Sequence, residues 1–238
     1  MPMPQQIPLS DTRISSESLC LKMGALAFDA DDVGSDIYFK LGLKENGKGS
    51  LRTPRFLSLL SSLLDNYVQK NETLLETAQI EDDLTVFHGL RAPPVSIQQY
   101  FDRMFKYAGC SPSCFIVAYI YVDRYLQQTK THLTSLNIHR LLVTSVMVAA
   151  KFVDDASFNN AYYAKVGGIS TSEINRLEMK LLFSIDFRLQ VNVDTFRRYC
   201  LLLEKKGEGC QIDWSVKACC VKDSWSKKKR TPTQDSSC

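Results

Sequence analysis

Histidine is scarce in this chain, with three residues, His88, His132 and His139, in 238. They stand in unrelated contexts, and no H-E-x-x-H, G-x-S-x-G or protein-kinase catalytic motif occurs. Metal-assisted hydrolysis, serine-based acyl transfer and phosphoryl transfer therefore lack support, and the chain reads as non-catalytic. The eight cysteines are irregularly spaced and no histidine follows Cys200, so the paired spacing of a zinc framework is missing. No metal, cofactor or small-molecule ligand is expected. Long apolar runs are missing too. The greasiest stretch, Leu141 to Val153, falls short of the ~20 residues that cross a bilayer, so no membrane association is expected. "MPMPQQIPLSDTR" lacks a charged start followed by an apolar run, so no secretory signal is read. The expectation is an intracellular protein, nuclear and/or cytoplasmic, with free thiols. A dominant charge of one sign is also absent, and the net +3 gives no general attraction to nucleic acid. Strict apolar–polar alternation appears nowhere at useful length, so strands are not expected.

What the chain does contain is a series of amphipathic helices. Residues 1–52 show little periodicity and read as a disordered lead. Gly42, Gly47 and Lys48 approach a phosphate loop, but Gly49 stands where that loop needs Ser or Thr. Residues 53–93 hold an N-terminal helix and a linker. Thr53 suits its cap, Pro54 its first position, and Phe56, Leu57, Leu60, Leu63, Leu64, Tyr67 and Val68 form one face over about four turns. Residues 94–189 form a compact series of five helices. Ser96 with Gln99, and Ser170 with Glu173, have capping-box spacing. The segment from Ser111 is apolar nearly all round from Phe115 to Val122 and belongs at the centre. A third helix starts near Ser135, and a short fourth is stopped by Gly167 and Gly168. Residues 190–206 add one more helix, with Phe196, Tyr199 and Leu203 inward, and residues 207–238 read as a disordered tail. The fold class is all-α. Cys114 and Cys200 fall in apolar helical patterns and read as core; Cys210, Cys219, Cys220 and Cys238 lie in the tail.

Two charges interrupt this pattern. Lys151 is the one charged residue between Leu141 and Val153, and Glu178 falls in the sector occupied by Ile174, Leu177, Leu181, Leu182 and Ile185. Core helices rarely bury a charge unless it is paired. The two could form an internal pair, which often contributes little net stability. Lys151 could instead serve the carbonyl end of its own helix. Or both could border an apolar groove and fix the register of a partner. Periodicity leaves these readings open.

"YVDRYL", "AAKFVDD" and "RLEMKLLFSIDFRL", in this order and spacing, resemble the cyclin box over roughly Pro94 to Leu189. "TPRFLSLLSSLLDNYVQKNE" and "YYAKVGGIS" are further similar to the plant P-type (U-type) cyclins, relatives of the yeast phosphate-signalling cyclins. The resemblance implies a single five-helix box with one N-terminal helix. About fifty residues follow the box, enough for a truncated C-terminal extension rather than a second repeat. It implies a regulatory subunit that binds and activates a cyclin-dependent protein kinase as a heterodimer, in cell-cycle control or phosphate signalling. Lys151 and Glu178 match the family's kinase-contacting lysine and glutamate, with Phe152, Leu182, Phe183 and Phe187 as candidate apolar contacts. Asp123 matches an aspartate that usually bonds an arginine of the first box helix. That arginine is missing at its usual place, and Arg103 is the candidate substitute.

Two rivals stand beside this reading: a cyclin-fold transcription-related protein, and an adaptor that binds without activating a kinase. The one dense basic run, Lys227, Lys228, Lys229 and Arg230, suits a nuclear import signal or a solubilising tail. Nucleic acid is not an expected partner. Thr53-Pro54 and Thr231-Pro232 resemble proline-directed kinase sites.

Overall fold

A helix with apolar residues on every side can only sit where other helices surround it. That is the position of α4 (Pro112–Gln128), in which every residue from Ser113 to Asp123 is buried. The structure, a computed structural model, describes residues 32–43, 54–79, 83–129 and 131–207. Among these residues there are eight helices and no strand. The others are α1 (Asp32–Leu41), α2 (Arg55–Ala78), α3 (Ile97–Tyr107), α5 (Ile138–Val153), α6 (Asn160–Gly167), α7 (Thr171–Ser184) and α8 (Val193–Gly207). The fold is all-α. Helices α3 to α7 are the five of the box. α4 and α5 pack along each other at its centre, α6 and α7 lie against α5, and α2 lies against α3.

Local chemistry sets most of the helix boundaries. The Ser96–Gln99 capping box forms in full: the Ser96 hydroxyl accepts the Gln99 N–H and the Gln99 side chain accepts the Ser96 N–H. At α7 only half of the expected box forms. Ser170 Oγ accepts the Glu173 N–H, but the Glu173 carboxylate turns to Arg140, 2.5 Å away. Asn159 caps α6, and Gly168, at φ 72°, ends it. α5 starts at Ile138 with Asn137 before it, three residues later than Ser135 suggests. Asn137 is fully buried. Its amide accepts the Thr134 N–H at 3.0 Å, donates to the His132 carbonyl at 2.7 Å and contacts His88 Nε2 at 3.1 Å. These bonds commit the preceding residues to a turn.

Three expectations are corrected. The lead of residues 1–52 is not disordered throughout, because residues 32–41 form α1. α1 packs on α8, with Ile37 and Leu41 of the helix and Leu43 just after it buried, and the Tyr38 ring lies 6.0 Å from that of Phe196. Lys40 bridges Asp36 (2.8 Å) and Glu204 (3.4 Å). So short a helix draws its stability from the surface it packs on, which periodicity does not display. Second, α2 runs 24 residues, well past four turns, and Pro54 stands at its N-cap rather than inside it. Its last turns are held from outside: Asn71 donates to the Leu133 carbonyl (2.9 Å) and Glu72 accepts the Ser135 N–H (2.8 Å). Thr53 lies outside the described residues.

Third, Arg103 and Asp123 do not pair. Arg103 shares a row of α3 with Tyr100 and Tyr107, and that row faces α6. Tyr100 donates to the Gly167 carbonyl (3.0 Å), Tyr162 donates to the Tyr107 carbonyl (2.6 Å), and Arg103 donates to the Lys165 carbonyl (3.1 Å). Asp123 is buried and accepts from Tyr199 of α8 and from Gln127 at 2.8 Å. The aspartate thus fastens the last helix to the box.

Burial pushes the Asp123 carboxyl above the ordinary range, opposed by the Tyr199 and Gln127 hydrogen bonds. A group raised in this way contributes fully below its unfolded pKa, about 4, and loses that contribution as pH rises through the folded value. Asp123→Asn removes the titration. From about pH 4 upward, wild type is expected to lose stability relative to the variant. Parallel urea melts between about pH 4 and 7 check this. The difference between the two proteins cancels His139, whose pKa burial lowers and whose contribution runs the other way. A difference that is flat over the range, or of opposite slope, contradicts the assignment.

Candidate functional site

Lys151 stands in the last turn of α5, and α5 ends where its C-cap residue takes on a second task. The Asp154 carboxylate accepts the Ser111 N–H (2.8 Å), the Ser111 hydroxyl (2.7 Å) and the Cys114 thiol (3.3 Å). Ser111 therefore does not cap α4 with its own side chain; the carboxylate at the end of α5 sits there instead. That tie fixes the end of α5, and with it Lys151 and Phe152.

Glu178 lies midway along α7, one position after buried Leu177 and three before buried Leu181. Lys151 Nζ is 2.7 Å from Glu178 Oε1, with the two side chains 32% and 17% exposed. The charges are therefore neither sealed in the core nor on opposite sides of the domain. They meet on the surface, each rising from an apolar helix face. Asn160, the first residue of α6, completes the group. Its Oδ1 accepts from Lys151, and its Nδ2 donates to Glu178 Oε2 (2.6 Å) and Asn175 Oδ1 (2.7 Å).

Exposed and half-buried apolar side chains stand on the same two helices as the charges of this polar group. Phe152 is exposed beside Lys151, and Leu182, half-buried, shares the row of α7 with Glu178. Met179 and Phe183 form the next row and are 50% and 65% exposed. Phe187 is 53% exposed, and its ring stands edge-on to Phe183 at 5.2 Å. The end of α7 presents it. The Phe187 N–H bonds the Leu182 carbonyl (2.9 Å) and the Asp186 N–H bonds the Phe183 carbonyl (3.1 Å), a Schellman ending. Glycine normally takes the left-handed position of that motif. Here Asp186 takes it, at φ 55°, and Phe187 after it is left-handed as well, at φ 52°. Two successive non-glycine residues in that region cost energy and hold an exposed aromatic ring in place.

All six candidate contact residues thus lie on α5, α7 or the end of α7. Sequence reading did not single out Asn160 or the role of Asp154. "FNNAYY" carried a signal for the first: one asparagine suffices as the cap, and Asn159 supplies it, so the second needs another explanation. The basic run 227–230, Thr231 and the tail cysteines lie outside the described residues. Among the described residues, no group of His, Cys, Asp and Glu side chains is arranged to hold a metal ion. No described helix is long and apolar enough to cross a membrane.

Residues 55–189 match the family model described as Cyclin. Cyclin-P3-1 of Oryza sativa subsp. japonica is 50% identical over 218 residues, covering 91% of this chain and 92% of the relative. Cyclin-U3-1 of Arabidopsis thaliana is 48% identical over 217 residues, covering 91% and 97%. The chain belongs to the cyclin family, as a member of the plant P/U type. A cyclin has a regulatory role. The family match begins at Arg55, the first residue of α2, so it spans this N-terminal helix together with the five helices of the box.

Proposed function

We propose that this cyclin binds and activates a cyclin-dependent protein kinase, with Lys151 and Glu178 as the polar centre of the contact. The supporting observation is one paired lysine and glutamate, still partly open to solvent, beside the exposed side chains of Phe152, Met179, Phe183 and Phe187. Contiguous exposed apolar residues with polar groups among them mark protein interfaces. The ammonium group has three donors and spends two on Asn160 and Glu178. One donor and the remaining carboxylate lone pairs are left for carbonyl and N–H groups of a partner. The aromatic rings supply the buried area, and the polar pair fixes register.

An active protein kinase needs a lysine–glutamate pair between a strand and a mobile helix. A partner that binds better when that helix is inward shifts the kinase population to the active form. The cyclin performs no chemistry in this scheme. Cell-cycle control and phosphate signalling are the two settings proposed for it, in the nucleus or the cytoplasm.

The test is to mix the purified full chain with purified cyclin-dependent kinases one at a time. Binding and the rate of peptide phosphorylation are measured together. At least one kinase is expected to bind and to gain rate by an order of magnitude or more. Binding without any gain in rate would make the protein an adaptor, and no binding to any of them would refute the docking reading.

A further inference from the structure

A primary amide offers one acceptor oxygen and two donor hydrogens, and Asn160 spends all three on the candidate site. The oxygen accepts from the Lys151 ammonium group, and the nitrogen donates to Glu178 and to Asn175. Asn159 performs the capping of α6, accepting the Tyr162 N–H at 3.0 Å, so the helix start does not need the Asn160 side chain. Without the amide, Lys151 and Glu178 touch through a single oxygen, Oε1. A long lysine side chain held by one exposed contact keeps most of its rotamer freedom, and a partner has to restrict it on binding. With the amide, ammonium and carboxylate are held from a second helix as well as from each other.

We infer that Asn160 is a positioning residue, a clasp that locks Lys151 and Glu178 in the geometry a partner meets. The inference rests on the docking reading above. It assigns control of the partner's affinity to a residue that acts through the two charges. Neither alanine nor aspartate keeps all three bonds. Alanine loses them all. Aspartate keeps the bond to Lys151 but sets a second carboxylate against Glu178, where the nitrogen now lies 2.6 Å from Oε2. Two carboxylates that close do not both stay ionised as pH falls; one takes up a proton and becomes a donor again.

The experiment compares wild type, Asn160→Ala and Asn160→Asp as full chains, against the kinase that binds wild type. At pH near 7.5, Asn160→Asp is expected to bind about tenfold or more weakly, the loss of one charge-assisted hydrogen bond or more. Near pH 5 its deficit relative to wild type, measured at the same pH, is expected to shrink to within about threefold as the shared proton restores the donor. A residue that merely supports the fold would give a deficit indifferent to pH. Wild-type affinity in Asn160→Asp at neutral pH, or a deficit unchanged by acid, overturns the inference. Should wild type bind no kinase, the docking reading fails, and the isolated chain still decides the clasp. The Lys151 ammonium signal in nitrogen-15 spectra is expected to exchange slowly in wild type and to vanish in Asn160→Ala. Its persistence in the variant rejects the clasp.

Discussion

Reversing the charge at Lys151 is expected to abolish kinase binding while leaving the helical fold intact. Lys151→Glu sets a carboxylate where an ammonium group now lies 2.7 Å from Glu178 Oε1. It also faces the Asn160 oxygen, an acceptor that loses its donor. The free chain tolerates this because the Lys151 side chain is one third exposed and an exposed pair contributes about 0–1 kcal/mol. A docked contact is different. Truncating one partner of a desolvated, hydrogen-bonded charge pair costs about 2–5 kcal/mol, and reversal adds like-charge repulsion. At about 1.4 kcal/mol per factor of ten, that weakens binding roughly 30-fold to several thousand-fold. Titration calorimetry with the kinase, alongside circular dichroism melts of the free chain, separates the two effects. A melt within a few degrees of wild type with binding lost is the expected result. Unchanged affinity would remove Lys151 from the interface.

The features that were legible in the sequence are those that short-range chemistry dictates. Ser96 with Gln99, Ser170 and Gly168 mark helix ends because each acts on backbone groups within a few residues. The burial of α4 was legible as well, since a helix without a polar side admits only one kind of place. Lys151 and Glu178 stood out for a related reason: each charge breaks an apolar face, and the periodicity that defines the face exposes the break. What stayed hidden depends on partners far along the chain. Arg103 and Asp123 looked like a pair from family resemblance. Which polar group Arg103 reaches is settled by the row of α3 it stands on, and that row faces the Lys165 carbonyl (3.1 Å). Helix α1 and the last turns of α2 were missed because α8 and the segment before α5 hold them. Asn160 was missed because its role exists only once α5 and α7 lie side by side.

The inclusion of α2 in the family match leads to the second large expected effect, Phe115→Ala. Phe115 sits near the start of α4, 1% exposed, with three aromatic rings around it. Phe105 lies at 5.8 Å, Phe56 at 6.1 Å and Phe101 at 6.2 Å, measured between ring centroids. Phe56 belongs to α2 and the other two to α3, so one side chain joins three helices. Removing a fully buried phenylalanine typically costs about 3–5 kcal/mol, the transfer term plus the cavity left behind. The upper part of that range applies here, because the three rings belong to helices tied elsewhere: α3 by its capping box and by Tyr100 to the Gly167 carbonyl, α2 by Asn71 and Glu72. They are poorly placed to close the gap. Native domains hold only about 5–15 kcal/mol in all, so the variant is expected to lose a third or more of its stability. Chemical denaturation read by far-ultraviolet circular dichroism measures the loss. Phe115→Leu, which keeps most of the volume, is expected to recover the larger part of it. If Phe115→Ala costs less than about 1.5 kcal/mol, the junction of α2, α3 and α4 is looser than these ring contacts imply, and α2 packs as an appendage to the box.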